Sequence, residues 1–492
     1  MKESANEQAS IRIEKKTFIT ALIILVALII TVGILTLVIP AGSYDRLMSG
    51  GRETIVQNSF HFTQAAQFPA WRWFTAPVEV LWSSDGAVII VIIFFLIAVS
   101  AAFSLLEKSD VMSFAISKVV RKFGHVRYVL MAVIIFFFMS TGAILGTFEE
   151  NIAVVPIIIA LAYCLGWDSL VGLGISMLAS CFGFTAAIMN PFSIIITQKI
   201  ADLPLYSGLG YRVIIFAVYF AVIYLFLYRY AKRIEKDPAK SLVYKEDSAL
   251  REKYRNIGSL EAVLGEKPAG QYKKVKRAAI TFAILLLLII AIILVLSLTG
   301  MSDLTLPVIG VLFLVGGFAS AAIAGIPLKK RMKIIGSSIA GIAPGIVLIL
   351  LAMSVKYIIS NGGIMDTILY YTSNAMLAVS PFAAILIIYA LILVLELFVG
   401  SSSAKAFLVM PLIAPLSDLI GVTRQTSVLA FCFGDGFSNM IYPTNPVLLI
   451  CLGLTVVSFA KWFKWTYKLQ LAALGLACVF LIIGVAIHYG PF

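Results

Sequence analysis

The chain is 492 residues long, 61% hydrophobic and only 13% charged, where soluble domains carry about a quarter charged residues. A mean hydropathy of +1.01 excludes a water-soluble globular fold, because so much apolar surface needs lipid as its solvent. The net charge of +13 does not indicate nucleic acid. The positives sit in blocks between apolar runs, the arrangement that orients helices in a bilayer.

Apolar stretches of about 20 residues, enough to span hydrocarbon, fall at 17–40, 86–106, 212–230, 278–298, 305–325, 338–358 and 466–488. The first is too long for a signal-peptide core and reads as a retained helix. Two longer stretches, 169–205 and 424–460, are broken by Asn-Pro, and two more, 128–166 and 380–420, have polar, Gly-containing centres. The cysteines, Cys164, Cys181, Cys432, Cys451 and Cys478, all lie in apolar runs without a C-x-x-C pair, so they indicate neither a zinc site nor a disulfide framework.

Arg12, Lys15 and Lys16 place residues 1–16 in the cytoplasm. Basic residues at 107–127, with apolar residues at helical spacing (Val111, Phe114, Ile116, Val119, Val120), predict an interfacial helix on the inner surface. The polar stretch 231–277, rich in Lys and Arg, reads as a long cytoplasmic loop, and Lys329 to Lys333 mark another inner loop. Between 107–127 and 231–277 lie three apolar stretches, so parity requires one of them to enter and leave on one side. The candidate is 128–166, whose centre reads Gly146-Thr147-Phe148-Glu149-Glu150-Asn151. The stretch 380–420, centred on Gly400-Ser401-Ser402-Ser403-Ala404-Lys405, behaves alike from the outer side. Non-helical backbone at membrane depth is tolerated only where protein or a water-filled cavity covers it. The sum is nine crossings, two re-entrant hairpins of opposite orientation and an outer C-terminus. Segment 41–85, long and aromatic, is expected outside, partly on the membrane surface. Trp71, Trp73, Trp82, Trp167, Trp462 and Trp465 all fall near predicted helix ends, as interface anchors do.

The halves resemble each other. Each runs from a Gly-Ser/Thr tip through Val-Val-Pro156 or Val-Met-Pro411 to Cys-Phe-Gly (Cys181–Gly183, Cys432–Gly434) and then Asn-Pro (Asn190-Pro191, Asn445-Pro446). The first repeat is 17–230, with its hairpin at 128–166 and broken helix at 169–205. The second is 305–488, with hairpin 380–420 and broken helix 424–460. The linker 231–277 and the connecting helix 278–298 separate them, and that extra crossing inverts the second copy. The expected fold is an all-α polytopic membrane protein with two inverted repeats, the build of many secondary transporters, whose site lies at the repeat interface near the midplane.

The segments GTFEENIAVVPIIIALAYCLGWDSLVG, MNPFSIIITQKIADLPLYSGLGYR, SSSAKAFLVMPLIAPLSDLIGVTRQTSVLAF and FGDGFSNMIYPTNPV carry a resemblance over essentially the whole length. The chain resembles the C4-dicarboxylate anaerobic carrier (DcuC-like) family, within the ion transporter superfamily, and in it the YfcC-type group of proposed basic amino acid antiporters. The resemblance implies a homodimer, a scaffold domain, a transport domain holding both hairpins, and elevator-type movement. The second tip departs from the family: it has Ser-Ala-Lys-Ala where many relatives carry Gly-rich, Gln- or Lys-containing versions.

Charges at the bilayer midplane cost roughly 2.5–3.5 kcal/mol each on insertion scales and persist where they face a cavity. Glu149, Glu150, Lys405 and Asp435 form that set, with Glu396 one turn before the second tip. Glu149 and Glu150 point to a cation: a substrate amine or guanidinium, Na+ or H+. The alternative is that one of them pairs with Lys405, which could otherwise attract a substrate carboxylate. Ser401, Ser402 and Ser403 start a half-helix whose positive end favours a carboxylate, Thr147 and the Gly146 amide repeat the arrangement, and Asn151, the mirror-image position of Lys405, is a further substrate-binding candidate. Asn190 and Asn445 either contact a ligand or cap the broken helices. Asp435, Ser438, Asn439 and Thr444 are the candidates for Na+. His61, His125 and His488 share no motif with the serines or cysteines, so no catalytic constellation is present and no cofactor beyond a coupling ion is expected. The expected function is a secondary transporter of a bacterial inner membrane. Its preferred cargo is a basic amino acid, moved by exchange or ion coupling, and the rival cargo is a C4-dicarboxylate or other carboxylate.

Overall fold

A computed structural model describes residues 15–49, 52–56, 59–63, 68–84, 86–148, 150–255, 269–298 and 305–490. The protein is mostly helical. In chain order the helices are α1 (Lys15–Val38), α2 (Arg72–Glu79), α3 (Gly86–Lys108), α4 (Val111–Phe123), α5 (Arg127–Ser140), α6 (Val155–Cys164), α7 (Ser169–Leu173), α8 (Ala179–Ala186), α9 (Ile196–Ile200), α10 (Leu209–Lys236) and α11 (Tyr244–Arg255). There follow α12 (Ala269–Leu298), α13 (Thr305–Ile323), α14 (Leu328–Gly362), α15 (Met365–Leu377), α16 (Pro381–Glu396), α17 (Ser402–Leu419), α18 (Arg424–Ser438), α19 (Pro446–Gly453) and α20 (Phe459–Ala486).

Every long apolar run of the sequence is a helix, usually extending past its apolar core. Lys273, Lys274, Lys276 and Arg277 ride on α12 and Arg233 and Lys236 on α10, so the supposed loop 231–277 is largely helical where described, including α11. The interfacial helix expected over 107–127 is α4. Residues 41–85 contain two small antiparallel pairs, Gly42–Ser43 with His61–Phe62 and Arg46–Ser49 with Arg52–Ile55, followed by α2. The chain before α2 is pinned to α15: Arg46 Nη2 lies 3.0 and 2.8 Å from the two Asp366 carboxylate oxygens, and the Tyr44 amide donates to one of them at 3.0 Å.

The helices sort into two packed bodies. In the first, α3 packs on α13 and α14, α1 on α14, and α12 on α13. Its backbones approach closely at small residues, as membrane helices do; a Cβ on Gly317 would stand 2.7 Å from the Ala102 Cα. The second body is built from α5 to α9 and α16 to α18, with α10 and α20 packed along it, and α19 lies against α14 of the first.

The two broken helices have the same construction. The first runs from α7 through a π-turn (Gly174–Leu178) and α8 to Ala187, whose φ of 42° ends it. Pro191 then starts a second π-turn (Pro191–Ile195) and α9. The second runs along α18 to Asn439 and restarts at Pro446 as α19. At both restarts Asn caps and Pro occupies the first turn, where its missing N–H costs nothing: Asn190 Oδ1 accepts from the Phe192 and Ser193 amides at 2.9 and 3.3 Å, and Asn445 Oδ1 from Leu448 at 3.1 Å. The matched glycines also do matching work. A Cβ on Gly183 would stand 2.0 Å from the Met139 carbonyl of the α5 arm, and one on Gly434 would stand 2.5 Å from Ile392 of the α16 arm.

Four of the six tryptophans are not interface anchors. Trp73, Trp167, Trp462 and Trp465 are buried, and only Trp71 and Trp82 are exposed. Trp167 donates its indole N–H to Glu235 at 2.7 Å and Trp462 to the Met440 carbonyl at 2.8 Å, so position near a helix end did not distinguish a lipid boundary from a protein contact.

Helix α11 docks on the base of the α6–α7 turn. The buried Asp247 carboxylate accepts from Tyr163 Oη at 2.7 Å, Ser169 Oγ at 3.0 Å and the Ser169 amide at 2.9 Å. Neighbouring Asp168 accepts from Tyr230 and Ser241, each at 2.7 Å. Burial, then the Asp168 charge, pushes the Asp247 carboxyl up to about 6, and burial raises Asp168 as well. A carboxyl raised on folding favours the protonated folded state, so its contribution to docking is greatest at low pH and falls as pH rises from about 4 to about 6. Hydrogen exchange of the α11 amides should therefore slow as pH drops from 7 to 5, after correction for intrinsic exchange. Asp247→Asn should flatten that dependence; an unchanged slope in the variant would assign it elsewhere.

Candidate functional site

Two tips and two breaks meet in the second body. The first tip follows a π-turn (Thr141–Leu145) that ends α5, and Gly146 takes a φ of 69° there. A Cβ on it would stand 2.5 Å from Asn190 Oδ1, so this glycine serves both the turn and the close approach of the first break. Asn190 Nδ2 donates to the Gly142 carbonyl at 3.2 Å and the Met189 amide to Ala143 at 2.9 Å. Asn151 Nδ2 donates to Ser180 Oγ at 2.8 Å and to the Thr147 carbonyl at 3.1 Å, locking the tip onto α8. The Thr147 hydroxyl is buried without a hydrogen-bond partner among the described residues. Glu149 and the side chain of Glu150 lie outside the described residues; the Glu150 backbone opens a short 3-10 turn (Glu150–Val154).

The second tip starts α17. Ser401 Oγ caps it, accepting from Ala404 at 3.4 Å, and Ser401 is exposed beside Gly400. Ser402 Oγ lies 2.6 Å from Asp435 Oδ2 and 3.0 Å from the Phe192 carbonyl, and Ser403 donates to the same carbonyl at 3.4 Å. The second tip thus rests on the first break. Reciprocally, the 3-10 turn after the first tip packs against α19, beyond the second break. The two broken helices touch as well: a Cβ on Gly436 would stand 2.3 Å from the Thr185 amide nitrogen.

Lys405 is the charge centre. It is fully buried, with its ammonium between Glu396 at the end of α16 and Asp435 in α18; it contacts Glu396 directly and lies 2.9 Å from Asp435 Oδ1. Among the described residues, the carboxylates facing Lys405 are these two; the tip glutamate raised from the sequence as its partner lies outside the described side chains. Counted at formal charges, two carboxylates and one ammonium sum to one net negative charge in a buried region. A buried cluster of this kind is conformationally demanding, since removing one partner strands the others.

The Na+ candidates surround Asp435 but are engaged with one another. Ser438 Oγ and Asn439 Nδ2 both donate to the Asp435 carbonyl at 2.9 Å, and Asn445 Nδ2 donates to Asn439 Oδ1 at 2.5 Å. Thr444 is half-buried in the same break.

Sequence reasoning passed over Arg212. It is fully buried near the start of α10, donating from Nε to the Ile188 carbonyl at 3.2 Å and from Nη1 to Ser207 at 2.7 Å and Tyr489 Oη at 3.2 Å. It therefore staples the first break to the ends of α9, α10 and α20. Its position in the GLGYR segment, at the edge of an apolar run, was the available signal; the acceptors are carbonyls and a phenol, which carry no sequence signature.

These features define a multi-pass helical membrane transporter whose broken helices converge on a buried charged cluster. The sequence profile of the family described as C4-dicarboxylate anaerobic carrier (DcuC) matches residues 18–486, and the chain belongs to that family. It is 29% identical over 395 residues to Escherichia coli (strain K12) YfcC, whose name proposes basic amino acid antiport; the match covers 76% of this chain and 73% of that one. An uncharacterized protein of Haemophilus influenzae is 26% identical over 347 residues, covering 70% of this chain and 66% of its own. Among solved structures, the Alcanivorax borkumensis YdaH transporter aligns over 97% of this chain and 100% of its own at 16% identity and a TM-score of 0.40. Neisseria gonorrhoeae MtrF aligns over 94% of each chain at 15% identity and a TM-score of 0.42.

Proposed function

We propose that this transporter moves a basic amino acid of the arginine or ornithine class across the bacterial inner membrane, by exchange or by coupling to Na+ or H+. The observation that carries the reading is the Glu396–Lys405–Asp435 cluster. With Lys405 held between two carboxylates, the cluster carries a formal excess of one negative charge and suits a cargo amine or guanidinium, whereas a dicarboxylate would add charge of the same sign. The capped helix starts at Asn190, Ser401 and Asn445 supply partial positive charge for the single carboxylate of an amino acid. The buried Thr147 hydroxyl, without a partner among the described residues, offers a further contact. The protein name of the Escherichia coli relative agrees with this cargo, and the family description favours the rival C4-dicarboxylate.

The same reading takes the two halves as inverted repeats with hairpins entering from opposite sides, because each tip rests on the broken helix of the other half. The first body is the scaffold and dimer surface, the second is the moving transport domain, and the N-terminus is cytoplasmic. Reconstituted protein loaded with unlabelled arginine should take up labelled arginine by counterflow and leave labelled succinate outside. Uptake of succinate without arginine would overturn the cargo, and passive flux without counterflow would overturn the transporter mechanism.

A further inference from the structure

Helix α10 presents one continuous face outward. Ile214, Ala221 and Leu225 on it are exposed, Ile214 by 57% and Leu225 by 44%, and the face continues directly into Arg229, Lys232, Arg233 and Lys236, all exposed. These four sit at i, i+3, i+4 and i+7, one side of the helix. A short turn, Pro238–Lys240, capped by Asp237, brings Lys240 to the same place. Together with Tyr228 they line an open cleft of about 330 Å3 that no carboxylate of the described residues lines. Lys232 Nζ donates to Tyr228 Oη at 3.2 Å, and Lys240 pairs with Asp237 at 3.3 Å on the rim. Among the described residues, Arg229, Arg233 and Lys236 face no carboxylate within ion-pair distance. The acid of this helix end, Glu235, is turned inward, held by Trp167, Tyr128 at 2.8 Å and Arg127 at 3.1 Å.

Orientation of helices in the bilayer explains why cations occur at this end of α10. It does not explain why five of them converge on one concave site, where like charges at helical spacing repel. The neighbouring apolar stripe supplies the explanation. We infer that the cleft is a binding site for an anionic glycerophospholipid of the surrounding bilayer, with its acyl chains along Ala221 and Leu225 and its phosphodiester among Arg229, Lys232, Arg233 and Lys236. Basic pockets at the ends of spanning helices recognise anionic head groups in this way, and the continuity of stripe and cleft selects a lipid over a soluble phosphate.

The test uses the full chain, purified and delipidated. Phosphatidylglycerol should raise its Tm by several degrees and be retained at least tenfold better than phosphatidylcholine in native mass spectrometry, while millimolar glycerol phosphate should shift nothing. Combining Lys232→Gln, Arg233→Gln and Lys236→Gln should abolish the preference. Combining Lys329→Gln, Lys330→Gln and Lys333→Gln, an equal loss of charge on α14, should leave it intact. Photoactivatable phosphatidylglycerol on the wild-type chain should label peptides within 225–240, a readout that needs no variant to fold. Equal stabilisation by glycerol phosphate, equal loss in both triple variants, retention of the preference by the α10 variant, or labelling confined to other helices would each overturn the inference.

Discussion

Lys405→Met is expected to lower stability by about 3–5 kcal/mol and to abolish transport, because it strands two buried carboxylates without a cation. Thermal unfolding in detergent reports the first effect and uptake in proteoliposomes the second. The variant Lys405→Met/Glu396→Gln/Asp435→Asn should recover most of the lost stability, since removing both sides of a buried pair is far cheaper than removing one. It should not recover transport. Glu396→Gln alone keeps the Lys405–Asp435 pair and moves the cluster from one net negative charge to neutrality. It should fold normally and lose arginine uptake by tenfold or more, as expected for a buried charge contact worth about 2 kcal/mol or above. Full arginine uptake by Lys405→Met would remove the cluster from the mechanism.

Gly436→Ala should be nearly as damaging for a different reason. The added methyl would stand 2.3 Å from the Thr185 amide nitrogen, which is backbone and cannot rotate away. Overpacking of this kind costs typically about 1–3 kcal/mol. Here it forces α18 away from α8 and carries Asp435 off Ser402 and Lys405, so uptake should fall more steeply than Tm. Gly475→Ala is the matched control. It lies within α20 with nothing within 4 Å of the added methyl, and should be neutral or slightly stabilising. Equal effects at the two positions would mean that the contact between the broken helices is slack.

The elements that depend on local sequence were legible. Long apolar runs are helices, Asn190-Pro191 and Asn445-Pro446 mark restarts, and Gly146 and Gly400 mark tips, because hydropathy, capping and backbone freedom act within a few residues. Helix α15, with its sequence MDTILYYTSNAML, was missed: it is too polar for a spanning signal and rests on contacts such as Asp366 with Arg46. The charge cluster was legible as a set of residues but not as a set of pairs. Glu396 is nine positions from Lys405 and Asp435 thirty, and only the folding of α16 against α18 places all three together. Trp167 and Trp462 show the same limit, since an indole at a helix end looks identical in sequence whether it faces a lipid head group or a carboxylate.

Helix α11 has a foot on each body. Lys253 pairs with Glu107 at the end of α3, while Asp247 is clasped by the α6–α7 turn and Glu246 by Lys461 at the start of α20. If one body slides past the other, as the proposed function requires, one of those feet has to lift. The inward foot is sunk in four hydrogen bonds and the outward one is an ion pair between an exposed lysine and a half-buried glutamate, so such a stride would begin at Glu107. Salt, which screens such a pair, should then lengthen the step without loosening the grip on the hairpin.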